Sequence, residues 1–199
     1  PPGSKWIPNR ALLLAALANG QSRITGALKS DDTSHMATAI REMGVEVDEP
    51  DATTFIVGSK GRLSEPEAPL FLGNAGTATR FLTAAAAIVD GTVVVDGDKH
   101  MRKRPIGPLV EALREMGIDA ESIGGYPPVT IRGQGEFAGG RVEIDGSLGH
   151  GFTQLGGQAG GLALDRLGDV FKADAEHVVH GRQALVDVPG ALEEGGIDA

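Results

Sequence analysis

Three short stretches carry residues able to hold an anion. In Gly3-Ser4-Lys5-Trp6-Ile7-Pro8-Asn9-Arg10, Lys5 and Arg10 bracket a helix start and Pro8 suits its first turn. Two cations there oppose the helix dipole, and an anionic ligand would offset that cost. In Leu72-Gly73-Asn74-Ala75-Gly76-Thr77-Ala78-Thr79-Arg80, glycines lie between a short strand and a helix. Free N–H groups at a helix start bind anions. The same glycines also serve a tight turn, and spacing alone does not separate the two uses. The third stretch, Lys99-His100-Met101-Arg102-Lys103-Arg104-Pro105-Ile106-Gly107, places four cations within six residues, with Arg104 just before another helix start. It lacks the interleaved aromatics of a nucleic-acid surface. A solvated basic face is the plain reading, and a site for a small polyanion fits the acidic background better.

That background is strong. The 199 residues carry 18 Lys+Arg against 27 Asp+Glu, a net charge of -9, which argues against a general nucleic-acid-binding surface. Cysteine is absent, so disulfides, thiolate metal sites and a Cys nucleophile are excluded. No apolar run approaches the length of a membrane span, and the opening residues do not resemble a secretory signal, so the expected setting is cytoplasmic. Trp6 and Tyr126 are the only Trp and Tyr, so the core must be built from Ala, Leu, Ile and Val.

The elements that must position these stretches repeat. Arg41-Glu42-Met43-Gly44-Val45 returns as Arg114-Glu115-Met116-Gly117-Ile118, with a weaker echo at Glu193-Glu194-Gly195-Gly196-Ile197. A long period of this kind points to a large unit used three times. The first unit reads as a helix over Arg10–Asn19, a strand at Ser22–Gly26, a helix over Thr33–Met43 and strands at Val45–Val47 and Thr54–Val57. The second reads as a helix over Thr77–Val89, a strand at Thr92–Val95, a helix over Ile106–Met116 and strands at Ile118–Ala120 and Val129–Arg132. Strands at Leu70–Leu72 and Arg141–Ile144 lead into units two and three. The expected fold is therefore α/β (α+β), with three repeated βαβαββ units over about 1–62, 63–138 and 139–199. The helices should face inward against a sheet wall.

Unit three departs from the pattern. Gly156, Gly157, Gly160 and Gly161 would fall inside its first helix, each costing about 1 kcal/mol against Ala. Pro189 would interrupt the second. This unit is expected to be degenerate or truncated and the least stable. It lacks its final strand pair, and unit one lacks a leading strand, so the chain reads as a lobe of a larger protein with a sheet edge open to self-association. His177 and His180 stand i, i+3 without a carboxylate motif, so no metal site is assigned. Asp31-Asp32 is expected to cap the second helix.

Taken together, Pro2-Gly3-Ser4-Lys5, Asn9-Arg10-Ala11-Leu12-Leu13-Leu14, Ser30-Asp31-Asp32, Leu70 to Arg80 and Arg104-Pro105-Ile106-Gly107 resemble the 5-enolpyruvylshikimate-3-phosphate synthase family over residues 1–148. The resemblance implies a two-lobed transferase of the shikimate pathway, with three βαβαββ units per lobe and this chain as most of the first lobe. It implies transfer of an enolpyruvyl group from phosphoenolpyruvate to shikimate-3-phosphate with release of phosphate, and no cofactor. It implies Lys5 and Arg104 as catalytic residues, Lys5 meeting phosphoenolpyruvate and the inhibitor glyphosate. Arg10 matches an arginine that binds shikimate-3-phosphate, and Asn74, Ala75, Gly76 and Thr77 match the loop around phosphoenolpyruvate.

Trp6 belongs to the implied substrate-binding set by position, where the family has Ser. Gly149-His150-Gly151 stand where it has Ser-Ser-Gln, and Val179-His180-Gly181-Arg182 where it has a Ser-Lys-Pro-Tyr-like motif. The phosphoenolpyruvate half-site is thus kept and the shikimate-phosphate half-site largely stripped. The family's acid/base carboxylates belong to the second lobe. The rival reading is a non-catalytic lobe that binds a small anion or a partner. A UDP-sugar enolpyruvyl transferase fits less well, because its Lys-Asn opening is missing.

Overall fold

The computed structural model describes residues 6–135 and three two-residue strands beyond them. Helix α1 spans Trp6–Leu17 and is followed by β1 (Asn19–Ile24), α2 (Asp31–Glu42), β2 (Glu46–Asp51) and β3 (Thr54–Lys60). The pattern returns as β4 (Leu70–Phe71), α3 (Gly76–Ala85), β5 (Asp90–Asp96), α4 (Gly107–Glu115), β6 (Asp119–Ile123) and β7 (Tyr126–Gln134). A 3-10 turn at Ala86–Ile88 ends α3, and another, at Met101–Lys103, precedes α4.

The repeated pentapeptides are the helix stops. Gly44 and Gly117 take left-handed backbone, with φ +85 and +84. In both, the glycine N–H donates to the carbonyl three residues back and the next N–H to the carbonyl five back (Val45 to Ile40, Ile118 to Leu113). This is the paired capping arrangement that favours glycine after a helix. The preceding arginine closes the turn: Arg41 Nε donates to Val47 O at 2.9 Å, and Arg114 Nε to Ala120 O at 2.5 Å. One sequence repeat thus performs one mechanical task twice, turning an inward helix into an outer strand.

Strands β1, β3 and β2 form one antiparallel sheet, and β5, β7 and β6 form another, with β4 parallel to β5 at its edge. Helix α1 packs on β1 and β3, and α4 on β6. The helices also pack on one another, α1 on α2 and α3, α2 on α3, and α3 on α4. Leu12, Leu13, Ile40, Phe55, Leu70, Leu82, Val95 and Ile131 belong to one continuous core. Alanine-rich faces (Ala11, Ala15 and Ala16 on α1; Ala78 and Ala85 on α3) let these helices approach closely.

Several expectations shift. Helix α1 starts a turn earlier than Arg10 and ends at Leu17, because Asn19 and Gly20 already pair with Lys60 and Ser59 of β3. The α2 cap is Ser30, not the aspartates. Ser30 Oγ accepts from Thr33 N, and Thr33 Oγ1 accepts from Ser30 N, while Asp31 and Asp32 occupy the first turn beside the positive dipole end. The place of a leading strand beside β1 is taken by β10 (Val186–Asp187), which pairs antiparallel and satisfies backbone groups of that edge. Strand β8 (Gly140–Arg141), near the strand expected at Arg141–Ile144, pairs with β9 (Ala163–Leu164). The expected helices of unit three, and His177 and His180, lie outside the described residues. Among the described residues no helix is long and apolar enough to cross a membrane.

The two helix stops should respond differently to alanine. A Cβ at Gly117 meets nothing within 4 Å, whereas at Gly44 it would stand 3.0 Å from Ser64 Oγ. Gly117→Ala should therefore cost about 1 kcal/mol for its left-handed backbone alone. Gly44→Ala should cost more, as read from urea unfolding midpoints at constant slope.

Candidate functional site

The stretch after β4 makes a tight turn into α3. Gly73 is left-handed at φ +52, Ala75 N donates to Leu72 O, and Gly76 N donates to Asn74 O. No side chain caps α3 at Ala75. Its start therefore presents backbone N–H groups and the positive dipole end. The start of α4 likewise lacks a side-chain cap, and there Gly125 O accepts from both Ile106 N and Gly107 N at 2.8 and 3.0 Å. The two starts differ in that α4 carries Pro108 in its first turn, which offers no N–H, whereas α3 has no proline.

Two guanidinium groups converge on it. A Cβ at Gly76 would lie 2.7 Å from Arg104 Nη1 and 3.4 Å from Arg80 Nη1. Arg80 braces the arrangement, with Nη1 donating to Gly76 O and Nη2 to Pro105 O, both at 3.2 Å. It thereby draws the backbone beside Arg104 against α3. Burial first, and the charge of Arg104 second, push the Arg80 pKa down from its usual value. Arg104 is exposed and makes no ion pair among the described residues.

The loop carrying Arg104 is fastened at its other end. Arg102 grips the Asp96 carboxylate with two nitrogens, Nε to Oδ1 at 2.9 Å and Nη2 to Oδ2. Asp98 Oδ1 accepts from His100 N and Met101 N, and Asp98 N donates to Gly73 O at 2.9 Å. The Arg102 hydrogen bond holds Asp96, and the Met101 N–H holds Asp98, below the ordinary aspartate range.

Of the residues singled out in the sequence, Asn74, Gly76, Thr77 and Arg104 come together here. Arg10 lies on α1 with its guanidinium over the Phe81 ring of α3, 5.9 Å from the centroid. Lys5 lies outside the described residues, and of Trp6 only its place at the start of α1 is described. Sequence reasoning missed Arg80 as part of the site. Its signal was the four-residue step from Gly76, which sets both on one helix face.

The model of the family EPSP synthase (3-phosphoshikimate 1-carboxyvinyltransferase) matches residues 1–152. The chain belongs to the EPSP synthase family. It is 72% identical over 148 residues to a 3-phosphoshikimate 1-carboxyvinyltransferase of Rhizobium etli, and 64% identical over 148 residues to one of Pseudomonas syringae pv. tomato. Each alignment covers 74% of this chain and 35% of the relative, so the chain spans about a third of the length of the curated relatives it matches. Among solved structures, the EPSP synthase from Acinetobacter baumannii superposes with a TM-score of 0.69 at 29% identity, over 75% of this chain and 36% of that one. The α/β fold expected from the sequence is the fold of this family.

Gly76→Ala should add a methyl where Arg104 Nη1 now lies and push that guanidinium aside. Phosphate binding followed by amide shifts of Asn74–Thr77 should weaken several-fold, with the unfolding midpoint little changed, since Ala favours the helix by about 1 kcal/mol. The Asp96–Arg102 clasp should also be acid-sensitive. The folded-state Asp96 pKa lies below its ordinary value near 3.8, so its contribution is full above that value and is lost as pH falls below it. Asp96→Asn should remove this part of the acid transition, as read by fluorescence or circular dichroism.

Proposed function

We propose that this chain supplies the phosphoenolpyruvate-side half-site of an enolpyruvyl transfer to shikimate-3-phosphate, with inorganic phosphate released. The observation that carries the reading is the convergence of Arg80 and Arg104 on the bare Cα of Gly76 at an uncapped helix start. Two neighbouring cations, one of them desolvated, repel each other. A carboxylate or phosphate between them offsets both the repulsion and the burial cost. Gly76 has no side chain to occupy the space that such a group needs.

In this reading Arg104 is the fork that grips the anion, Arg80 holds the backbone beside it, and the glycine loop aims the positive end of α3 at it. Arg10 of α1 joins the cationic set, and the match to the family adds Lys5 to it and Trp6 to the substrate-binding set. The sugar-acid hydroxyl, giving up its proton, adds to C2 of phosphoenolpyruvate as C3 takes a proton; loss of a C3 proton then restores the double bond as the C2–O bond to phosphate breaks. The residues of this chain hold and orient the two anions and stabilise developing charge. Proton donors and acceptors come from the second lobe, whose closure would also exclude water. The family's activity in the cytoplasm, without a cofactor, belongs to the same reading.

The test is a titration of the 199-residue chain with phosphate and with phosphoenolpyruvate. The amides of Asn74–Thr77 should shift first and saturate only at millimolar ligand, because one lobe leaves the anion half solvated. A response confined to other regions would overturn the assignment. Phosphate-release assays with both substrates should show no turnover by the chain alone. A rate of about 1 s⁻¹, within the ordinary enzyme range, would show that the second lobe is not needed.

A further inference from the structure

We propose that His35 is a positioning residue for the anion loop, its imidazole acting as a wedge that fixes Gly73 and through it the turn carrying Asn74–Thr77. The proposal deepens the anion-site reading given above and rests on it. His35 lies on α2, in unit one, 38 positions before the glycine it touches. A Cβ on Gly73 would stand 2.4 Å from His35 Nε2 and 3.0 and 3.1 Å from two ring carbons. The flat ring therefore occupies the space that any other residue at position 73 would fill. It is also held edge-on against Phe71, with centroids 5.9 Å apart and planes at 75°.

Gly73 is gripped from the far side as well. Its carbonyl accepts from Asp98 N at 2.9 Å, and a Cβ on Gly97 would lie 2.4 Å from that oxygen. So Gly73 is pinned between the His35 ring of one unit and the Gly97–Arg104 loop of the other. Three residues after it stands Gly76, against which Arg104 and Arg80 converge. Neither pin acts through local sequence, and both bear on a left-handed residue that is otherwise free to change its φ. The ring uses none of the described hydrogen bonds, so its contribution is shape, and the α2 start that carries it is fixed by the Ser30–Thr33 capping box.

The experiment compares His35→Ala, His35→Leu and His35→Phe in the 199-residue chain. Amide exchange is read without ligand, and inorganic phosphate is then titrated. With the wedge removed in His35→Ala, exchange at Gly73–Gly76 should rise about tenfold while β5 keeps its protection. Phosphate affinity should fall about fivefold. His35→Phe, which keeps a flat ring, should restore both. Should His35→Ala fail to fold, His35→Leu gives the same reading, because it fills volume without a plane. Unchanged exchange and affinity in the folded variant, or a loss that His35→Phe does not restore, overturns the proposal. If phosphate moves no loop amide in the unsubstituted chain, the anion-site reading fails, and the exchange measurement still decides the role of His35.

Discussion

The architecture depends on how two helices stop. At Gly44 and Gly117 the backbone turns left-handed, and the following N–H groups fold back onto the last helical carbonyls. The arginine three residues earlier then latches to a carbonyl of the departing strand. Any residue with a Cβ resists that turn. Because both stops send the chain outward in the same way, α2 and α4 lie inside while β2–β3 and β6–β7 lie outside. The helices are left to pack on one another, which brings α1 against α3 and the Arg10 guanidinium over Phe81.

The site follows from a division of labour within one basic run. Arg102 is spent on Asp96, and the Asp98 carboxylate on the backbone of the 3-10 turn. Those contacts fix the loop and leave Arg104 exposed at its end without an ion pair among the described residues. Arg80 then brings the Pro105 carbonyl to α3. The unfavourable element, two guanidinium groups side by side with one of them desolvated, is thus held by favourable elements around it. Strain of this sort persists only where the surrounding structure over-determines it.

What could be read from the sequence was whatever a local pattern encodes. The helix stops were legible because Arg-Glu-Met-Gly recurs as a unit, and the glycine loop because its residues are consecutive. The capping residue was misjudged at Asp31-Asp32, since Ser30 with Thr33 offers the reciprocal pair that two carboxylates cannot. Arg80 was overlooked because its partners, Gly76 and Pro105, lie in two different segments. The approach of His35 to Gly73 had no sequence signal at all, since a ring filling the space beside a glycine leaves no trace in periodicity. The strand β10 beside β1 was likewise invisible, because two residues carry no pattern.

A basic site on a chain of net charge -9 is a matter of range. Exposed charges farther apart than about 10 Å are largely screened at ordinary salt, so the acidic total acts weakly on an approaching anion. At contact the two guanidinium groups and the helix start act through poorly screened, partly desolvated space, where each interaction is several times stronger than in water. Two acids of the same loop, Asp96 and Asp98, are already engaged with donors of that loop, which limits how far they offset Arg104. The acidic surface therefore sets solubility and long-range behaviour. The sign of the site is decided within a few ångströms by Arg80 and Arg104, and the missing side chain of Gly76 leaves the space in which both approach and which the proposed reading gives to an anion.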